Sequence, residues 1–170
     1  MIRVLTAGWM TALMSRLDRA LELTSFGASP GLTVPAALDS PSPGEPRVLV
    51  ADDNPSELGY ARELLGYWGI TPTLAADGAE AVTLACEGDF DLILMDLQMP
   101  VLDGLGATKR IRVYEHQQSR VRTPVLAYTS CVLEEDVLRD CGVDGVLAKP
   151  CSAIALQECL LRWCPPRRQP

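Results

Sequence analysis

The sequence predicts an α/β fold in which five parallel strands form one doubly wound sheet with helices on both faces. Short apolar runs alternate with segments of helical periodicity from residue 47 to about residue 164. Apolar runs of this length are typical of strands buried on both faces, and strands that alternate with helices form parallel sheets. Gly69, Gly78, Gly88 and Gly142 lie at the predicted junctions, as expected for helix ends.

The predicted elements follow one another with short connections. In chain order they are strand 47–51, helix 55–68, strand 71–75, helix 78–87, strand 92–95, helix 104–115, strand 124–128, helix 132–141, strand 145–148 and helix 152–163. Asn54 as N-cap and Pro55 as first helical residue mark the start of the first helix. Pro150 has no backbone donor and therefore ends the last strand.

Polar side chains stand at the carboxyl ends of four of these strands. Asp52 and Asp53 follow the first strand, Asp96 the third, Thr129 the fourth and Lys149 the fifth. Open α/β sheets bind their ligands at this edge. Three neighbouring carboxylates repel one another unless a cation relieves them, and Mg2+ binds through a few carboxylates with waters and phosphate oxygens. The pattern predicts an acidic metal pocket whose hydroxyl and ammonium groups hold phosphoryl oxygens.

These residues carry a resemblance to a known family. Residues 47 to about 164 resemble the receiver domain of response regulators, with all five signature positions present. The run 91–112, DLILMDLQMPVLDGLGATKRIR, is especially similar to receivers attached to hybrid histidine kinases. The resemblance implies the flavodoxin-like strand order 2-1-3-4-5.

The resemblance also implies the roles of the acidic residues. Asp96 is expected to be the phosphoacceptor. The expected cofactor is Mg2+, ligated by Asp53, by Asp96, by the backbone carbonyl of Gln98 and, mainly through a bound water, by Asp52. Gln98 and Cys131 hold the two positions that tune hydrolysis of the acyl phosphate in the family.

The remaining signature positions follow in the same way. Thr129 is expected to bind a phosphoryl oxygen as the switch residue, and Lys149 to pair with Asp96 and then with the phosphate. Pro100 and Gly104 match the loop that shapes the site. The sequence departs from the family at Val146, where an aromatic switch residue is usual, and its fourth helical segment is about two residues shorter than is common.

The implied function is that of a phosphoacceptor receiver in a two-component or phosphorelay system. It would take a phosphoryl group from a histidine kinase or a histidine phosphotransfer protein and signal by conformational change to a downstream protein. Because it would catalyse only its own phosphorylation and slow dephosphorylation, we do not expect an enzyme. The alternative is that the chain is the C-terminal receiver portion of a hybrid histidine kinase. An aspartyl-nucleophile phosphatase is disfavoured because Gln98 stands where that class needs a second aspartate.

Composition limits the partners and the compartment. The net charge of −7 and pI of about 4.7 disfavour a nucleic-acid partner, because phosphate contacts need clustered basic residues. The 6 cysteines include no C-x-x-C pair and are accompanied by one histidine, His116, so a zinc site is not expected. Reduced thiols are the default, which predicts a cytoplasmic protein.

The chain is predicted to divide into four parts. Residues 1–25 form an amphipathic helix that is too charged and too short to span a bilayer, 26–46 a Pro/Ser/Gly-rich linker, 47–164 the receiver domain and 165–170 a tail. The helix is expected to dock on its own domain or on a second copy, which leaves a homodimer open. A membrane-surface helix and a remnant of an upstream kinase are alternatives.

Overall fold

The computed structural model describes residues 45–131 and 134–164. The helix predicted over 1–25, nearly all of the predicted linker and the tail lie outside the described residues. The strands are β1 (Val48–Ala51), β2 (Thr73–Ala75), β3 (Leu92–Met95), β4 (Val125–Thr129) and β5 (Gly145–Ala148). The helices are α1 (Pro55–Tyr67), α2 (Gly78–Glu87), α3 (Gly104–Gln117), α4 (Glu135–Asp140) and α5 (Ala153–Trp163).

The five strands form one parallel sheet in the order β2-β1-β3-β4-β5. The predicted fold class and strand order are therefore confirmed. Helices between parallel strands cover both faces, so β1, β3 and β4 are buried along their whole length.

Seven of the ten elements differ from the prediction at one or both ends, and in β1, α1 and α5 the difference is a single residue. The second strand begins at Thr73 and not at residue 71, because Pro72 just before it has no N–H to contribute to a ladder. The fourth strand continues to Thr129, which pairs with Ala148. The third helix continues to Gln117. The fourth helix is described from Glu135 to Asp140 only, and residues 132 and 133 of the predicted helix lie outside the described residues.

Alternation along the strands divides the core into two layers. The layer under α1 and α5 is built around Val48, Val50, Leu92, Leu94 and Leu160. The layer under α2 and α3 is built around the intervening residues of the same strands together with helix residues: Leu49, Ala51, Ile93, Met95, Ala107 and Ile111. Successive side chains of a strand point to opposite faces, and each face here has its own helix pair, which explains why these strands are apolar at every position.

Local signals fix the helix ends. Asn54, Asp77 and Ser152 act as N-caps, each accepting a hydrogen bond from a backbone N–H in the first turn of its helix. At the other end, Gly69 and Gly142 follow α1 and α4 with φ values of 80° and 87°, in the left-handed region that glycine adopts readily.

Arg112 connects α3 to the segments that precede β4 and β5. Its guanidinium donates to the carboxylates of Glu115 (2.7 Å) and Asp144 (2.8 Å) and to the backbone carbonyls of Gly142 (2.9 Å) and Thr123 (2.9 Å). These contacts join α3 to the start of β4 and to the turn before β5. Within the described part of the chain, no helix is long and apolar enough to cross a membrane.

Candidate functional site

Strand register brings the predicted site residues to one edge of the sheet. Ala51 of β1 pairs with Met95 of β3, so that Asp52 and Asp96 emerge side by side. The backbone N–H of Asp96 donates to the carbonyl of Ala51 at 2.9 Å, which extends the ladder up to the acidic residues. On the other side, the N–H of Lys149 donates to the carbonyl of Thr129 at 3.0 Å.

Three carboxylates converge at this edge. Asp52, Asp53 and Asp96 each offer an oxygen, and these oxygens lie within 4.8 Å of one another. Asp52 is fully buried and Asp96 is 9% exposed, whereas Asp53 is exposed. In residues 45–131 and 134–164 this is the single convergent group of three or more such side chains. An all-oxygen donor set that is open to water on one side fits a hard divalent ion such as Mg2+.

Two short turns orient the aspartates that end the central strands. The Oδ1 atom of Asp52 accepts a hydrogen bond from the N–H of Asn54 at 2.9 Å, and the Oδ1 atom of Asp96 accepts one from the N–H of Gln98 at 3.0 Å. Each carboxylate is thus held by the backbone two residues further along. The Oδ2 atoms remain directed at a common cation.

That cation is the ammonium of Lys149. Its Nζ donates to Oδ2 of Asp96 at 2.7 Å and also to Oδ2 of Asp52. Burial alone would lower the pKa of Lys149, but the hydrogen bonds to the two carboxylates outweigh it, and the pKa is raised above its ordinary value. Lys149 is therefore a cation that joins the end of β5 to the ends of β1 and β3. The Lys149–Pro150 peptide bond is cis.

The aromatic ring of Tyr128 lies under the same ammonium. Nζ of Lys149 is 4.8 Å from the centroid of the Tyr128 ring, and Tyr128 is 2% exposed. Burial and, as the second cause, the neighbouring charge of Glu57 raise the pKa of Tyr128, so its side chain stays an uncharged phenol. Val146 is 55% exposed in β5. The aromatic group next to the site thus belongs to β4, one residue before the predicted switch hydroxyl.

These residues surround an open cleft of about 610 Å³. The lining side chains are Asp52, Asp53, Asn54, Glu57, Asp96, Gln98, Ser130, Lys149 and Pro150. At the end of β4, Ser130 lines the cleft. Thr129 is buried, and its Oγ1 accepts a hydrogen bond from the N–H of Cys131 at 3.2 Å. Sequence reasoning missed Glu57 and Ser130. The helix start at Asn54–Pro55 could have indicated Glu57, because the first turn of that helix rises from the acidic edge.

The loop after β3 packs against the backbone of Asp96. A Cβ atom on Gly104 would lie 2.0 Å from the backbone oxygen of Asp96, so this position has room only for glycine. The carbonyl of Pro100 accepts a hydrogen bond from the N–H of Leu102 at 2.7 Å across Val101, whose φ is 67°. This is a γ-turn with a positive φ at its centre, which is a strained conformation for a β-branched residue. Pro100 lies in this loop and Gly104 follows it as the first residue of α3, and their role in shaping the site stays a prediction.

Comparisons with known proteins agree with the fold and site described above. The family described as response regulator receiver domain matches residues 48–161. A sensor protein, GacS, of Pseudomonas syringae pv. syringae is 38% identical over 120 residues, which are 69% of this chain and 13% of that protein. The chain therefore matches only a small part of the length of such curated relatives.

Solved structures agree with this match. The receiver domain of the sensor histidine kinase PA1611 from Pseudomonas aeruginosa PAO1, solved with a magnesium ion coordinated in its active-site cleft, is 37% identical, with a TM-score of 0.63 over 70% of this chain and 97% of that one. The receiver domain of Ssk1 from Saccharomyces cerevisiae, crystallised with the histidine phosphotransfer protein Ypd1, is 30% identical, with a TM-score of 0.66 over 71% of this chain and 89% of that one.

Proposed function

The chain belongs to the response regulator receiver domain family, and from this premise we propose that it takes a phosphoryl group from phosphohistidine onto Asp96. The observation that carries the proposal is the placement of Asp96. Its carboxylate lies at the carboxyl end of the central strand, inside an open cleft, between an ammonium 2.7 Å away and two further carboxylates. This arrangement can accept a phosphoryl group and balance its charge.

The transfer needs positioning more than covalent help. A carboxylate oxygen of Asp96 attacks phosphorus in line with the P–N bond, the O–P bond forms, and the imidazole leaves with the electrons of the broken P–N bond. Lys149 holds Oδ2 of Asp96 beforehand and pairs with the transferred oxygens afterwards. The chain acts only on itself in this reaction, and slow hydrolysis of its acyl phosphate returns it to the starting state.

The acidic residues fit a magnesium ion, as the PA1611 receiver has in its cleft. We propose that Asp52, Asp53, Asp96 and the backbone carbonyl of Gln98 hold it, with Asp52 acting mainly through water. When bound, Mg2+ supplies positive charge that offsets the charge of the three carboxylates and of the incoming phosphoryl oxygens.

Signalling would begin at Thr129. Its hydroxyl accepts a hydrogen bond from the N–H of Cys131 and lies at the end of a fully buried strand. We propose that a phosphoryl group on Asp96 draws this hydroxyl toward it and releases the N–H of Cys131, so that the segment leading to α4 rearranges for a downstream protein partner. Because Val146 is not aromatic, this path does not use a rotation of an aromatic side chain at that position of β5.

We propose that the donor is a histidine kinase or a histidine phosphotransfer protein. Ssk1, a receiver of the same family, was crystallised with such a phosphotransfer protein. The 6 free thiols in the described residues suit the reducing cytoplasm, where we place the reaction. A second candidate function is that of the receiver portion of a hybrid histidine kinase, which is favoured by the short match to GacS, a sensor protein.

The proposal is tested by measuring phosphotransfer to a variant of the proposed phosphoacceptor and to a matched control variant. In one set of reactions the full chain is incubated with Mg2+ and acetyl phosphate. In another set it is incubated with Mg2+ and a panel of purified kinases and phosphotransfer proteins. Phosphate incorporation is followed on phosphate-affinity gels. Asp96→Asn is expected to abolish incorporation, whereas Asp136→Asn, the same change at an exposed carboxylate of α4, is expected to leave it unchanged. Undiminished labelling of Asp96→Asn would remove Asp96 from the role.

A further inference from the structure

We propose that Tyr128 is a positioning residue whose ring face holds the ammonium of Lys149 beside Asp96. The inference rests on the function proposed above, and it assigns a role to a residue outside the signature positions. Tyr128 contacts neither the phosphoacceptor nor the transferred group in this scheme and acts through Lys149.

The first support is the geometry around Nζ. The ammonium has two carboxylate partners, Asp52 and Asp96, and the ring of Tyr128 as a third, at 4.8 Å from its centroid. A cation within about 6 Å of an aromatic face is attracted by the ring quadrupole, and more strongly when water is excluded. The Lys149 side chain is 12% exposed, so this contact is largely sheltered from water.

The second support is that the ring cannot move away. Tyr128 pairs with Leu147 in the sheet and packs in the core layer under α1 and α5. It is among the largest fully buried side chains of the described residues. The ring is thus a fixed surface, while the lysine above it has a flexible four-carbon stem that depends on its contacts for its position.

The third support is competition between the two carboxylates. Asp52 is fully buried and shares the ammonium with Asp96. When Asp96 becomes an acyl phosphate, its contact with Lys149 changes, and Asp52 could draw the ammonium away from the transferred group. The contact with Tyr128 involves neither carboxylate, so it persists through the reaction and keeps Nζ in the cleft.

The contact itself can be measured in the metal-free full chain. The sequence contains only two lysines, Lys149 and Lys109, and the latter is exposed on α3. After lysine-selective 13C labelling, the side-chain methylene protons of Lys149 should be shifted upfield by the ring current of Tyr128, with Lys109 as an internal reference. The shift should persist in Tyr128→Phe and disappear in Tyr128→Leu. An unshifted Lys149 in the wild type, or a shift unchanged in Tyr128→Leu, would overturn the inference.

Phosphorylation kinetics test the consequence. With acetyl phosphate, Tyr128→Leu should lower the maximal rate roughly tenfold with little change in KM, while Tyr128→Phe should restore the rate to within about twofold of the wild type. Replacement of Tyr128 by pentafluorophenylalanine keeps a ring of similar size but inverts its quadrupole, so it should slow the reaction even if the leucine variant folds poorly. Ile111→Ala, a core truncation on the opposite face of the sheet, is the stability control and should retain the rate.

The outcomes separate the two proposals. A wild-type chain that incorporates no phosphate would contradict the proposed function, and this inference with it. A wild-type chain that is phosphorylated normally, together with a pentafluorophenylalanine variant of equal rate, would leave the proposed function standing and overturn the role of Tyr128.

Discussion

Replacement of Arg112 by methionine should destabilise the fold by about 3 kcal/mol. Arg112 donates four hydrogen bonds, to two carboxylates and two backbone carbonyls. Methionine keeps much of the volume of the side chain but provides no donors. Glu115 would then be a buried carboxylate whose described remaining donor is the N–H of Thr123, at 2.8 Å.

The magnitude follows from the burial of the partners. Loss of one partner of a buried ion pair costs about 3–5 kcal/mol, because the other charge remains desolvated. The lower end applies here, since Asp144 keeps its contacts with Arg122 and with the N–H of Val125. For a domain of this size, 3 kcal/mol corresponds to a fall in Tm of roughly 10 °C.

Urea denaturation followed by circular dichroism measures this change. Arg139→Met is the matched control, because Arg139 pairs only with the exposed Asp136 among the contacts described, and its loss should cost less than about 1 kcal/mol. In the Arg112→Met background, Glu115→Gln should recover part of the loss by removing the unpaired charge. A free energy of unfolding for Arg112→Met within 1 kcal/mol of the wild type would refute this reasoning.

Three further substitutions have expected outcomes, each with its own measurement. Val101→Asn should raise the free energy of unfolding by about 1 kcal/mol, because asparagine tolerates the positive φ of this γ-turn; a calorimetric Tm below that of the wild type would contradict this. Gly104→Ala should destabilise the fold by more than about 2 kcal/mol and weaken Mg2+ binding, because its Cβ would press on the backbone of Asp96; unchanged calorimetry and magnesium titration would show that the loop adapts. Burial raises the pKa of Cys159 and of Cys164 to about 12, so their neutral forms stabilise the fold below about pH 9, and this stabilisation is lost as the pH rises from 9 to 12. Cys164→Ala should accordingly show a shallower alkaline decline of unfolding free energy, and a slope equal to the wild type would contradict this.

Much of the fold could be predicted from local sequence. The runs 48–51 and 92–95 are apolar at every position because helices cover both sides of their strands, and Asp52 and Asp96 follow them directly. Parallel strands end at a common edge, so the convergence of these carboxylates also follows from the pattern. The strand order came from the resemblance and was not available from periodicity alone.

Other features depend on contacts between distant residues. A charged helix residue is expected to face solvent, yet the Arg112 side chain is only 13% exposed, and its partner Asp144 is 32 positions away, just before β5. The contact between Tyr128 and Lys149 requires the register of β4 against β5. Ser130 lines the cleft because alternation along the strand end turns it outward where Thr129 turns inward, and the exact end of β4 could not be read from the sequence.

The hydrogen bonds from Asn54 and Gln98 to the site aspartates have an evolutionary consequence. In both cases the donor is a main-chain N–H, and the side chain at that position takes no part in the bond. Any amino acid except proline supplies the same donor. Position 98 can therefore drift in side-chain chemistry while the orientation of Asp96 is inherited unchanged, whereas position 54 is also held to a side chain that caps α1, because Asn54 accepts the N–H of Ser56.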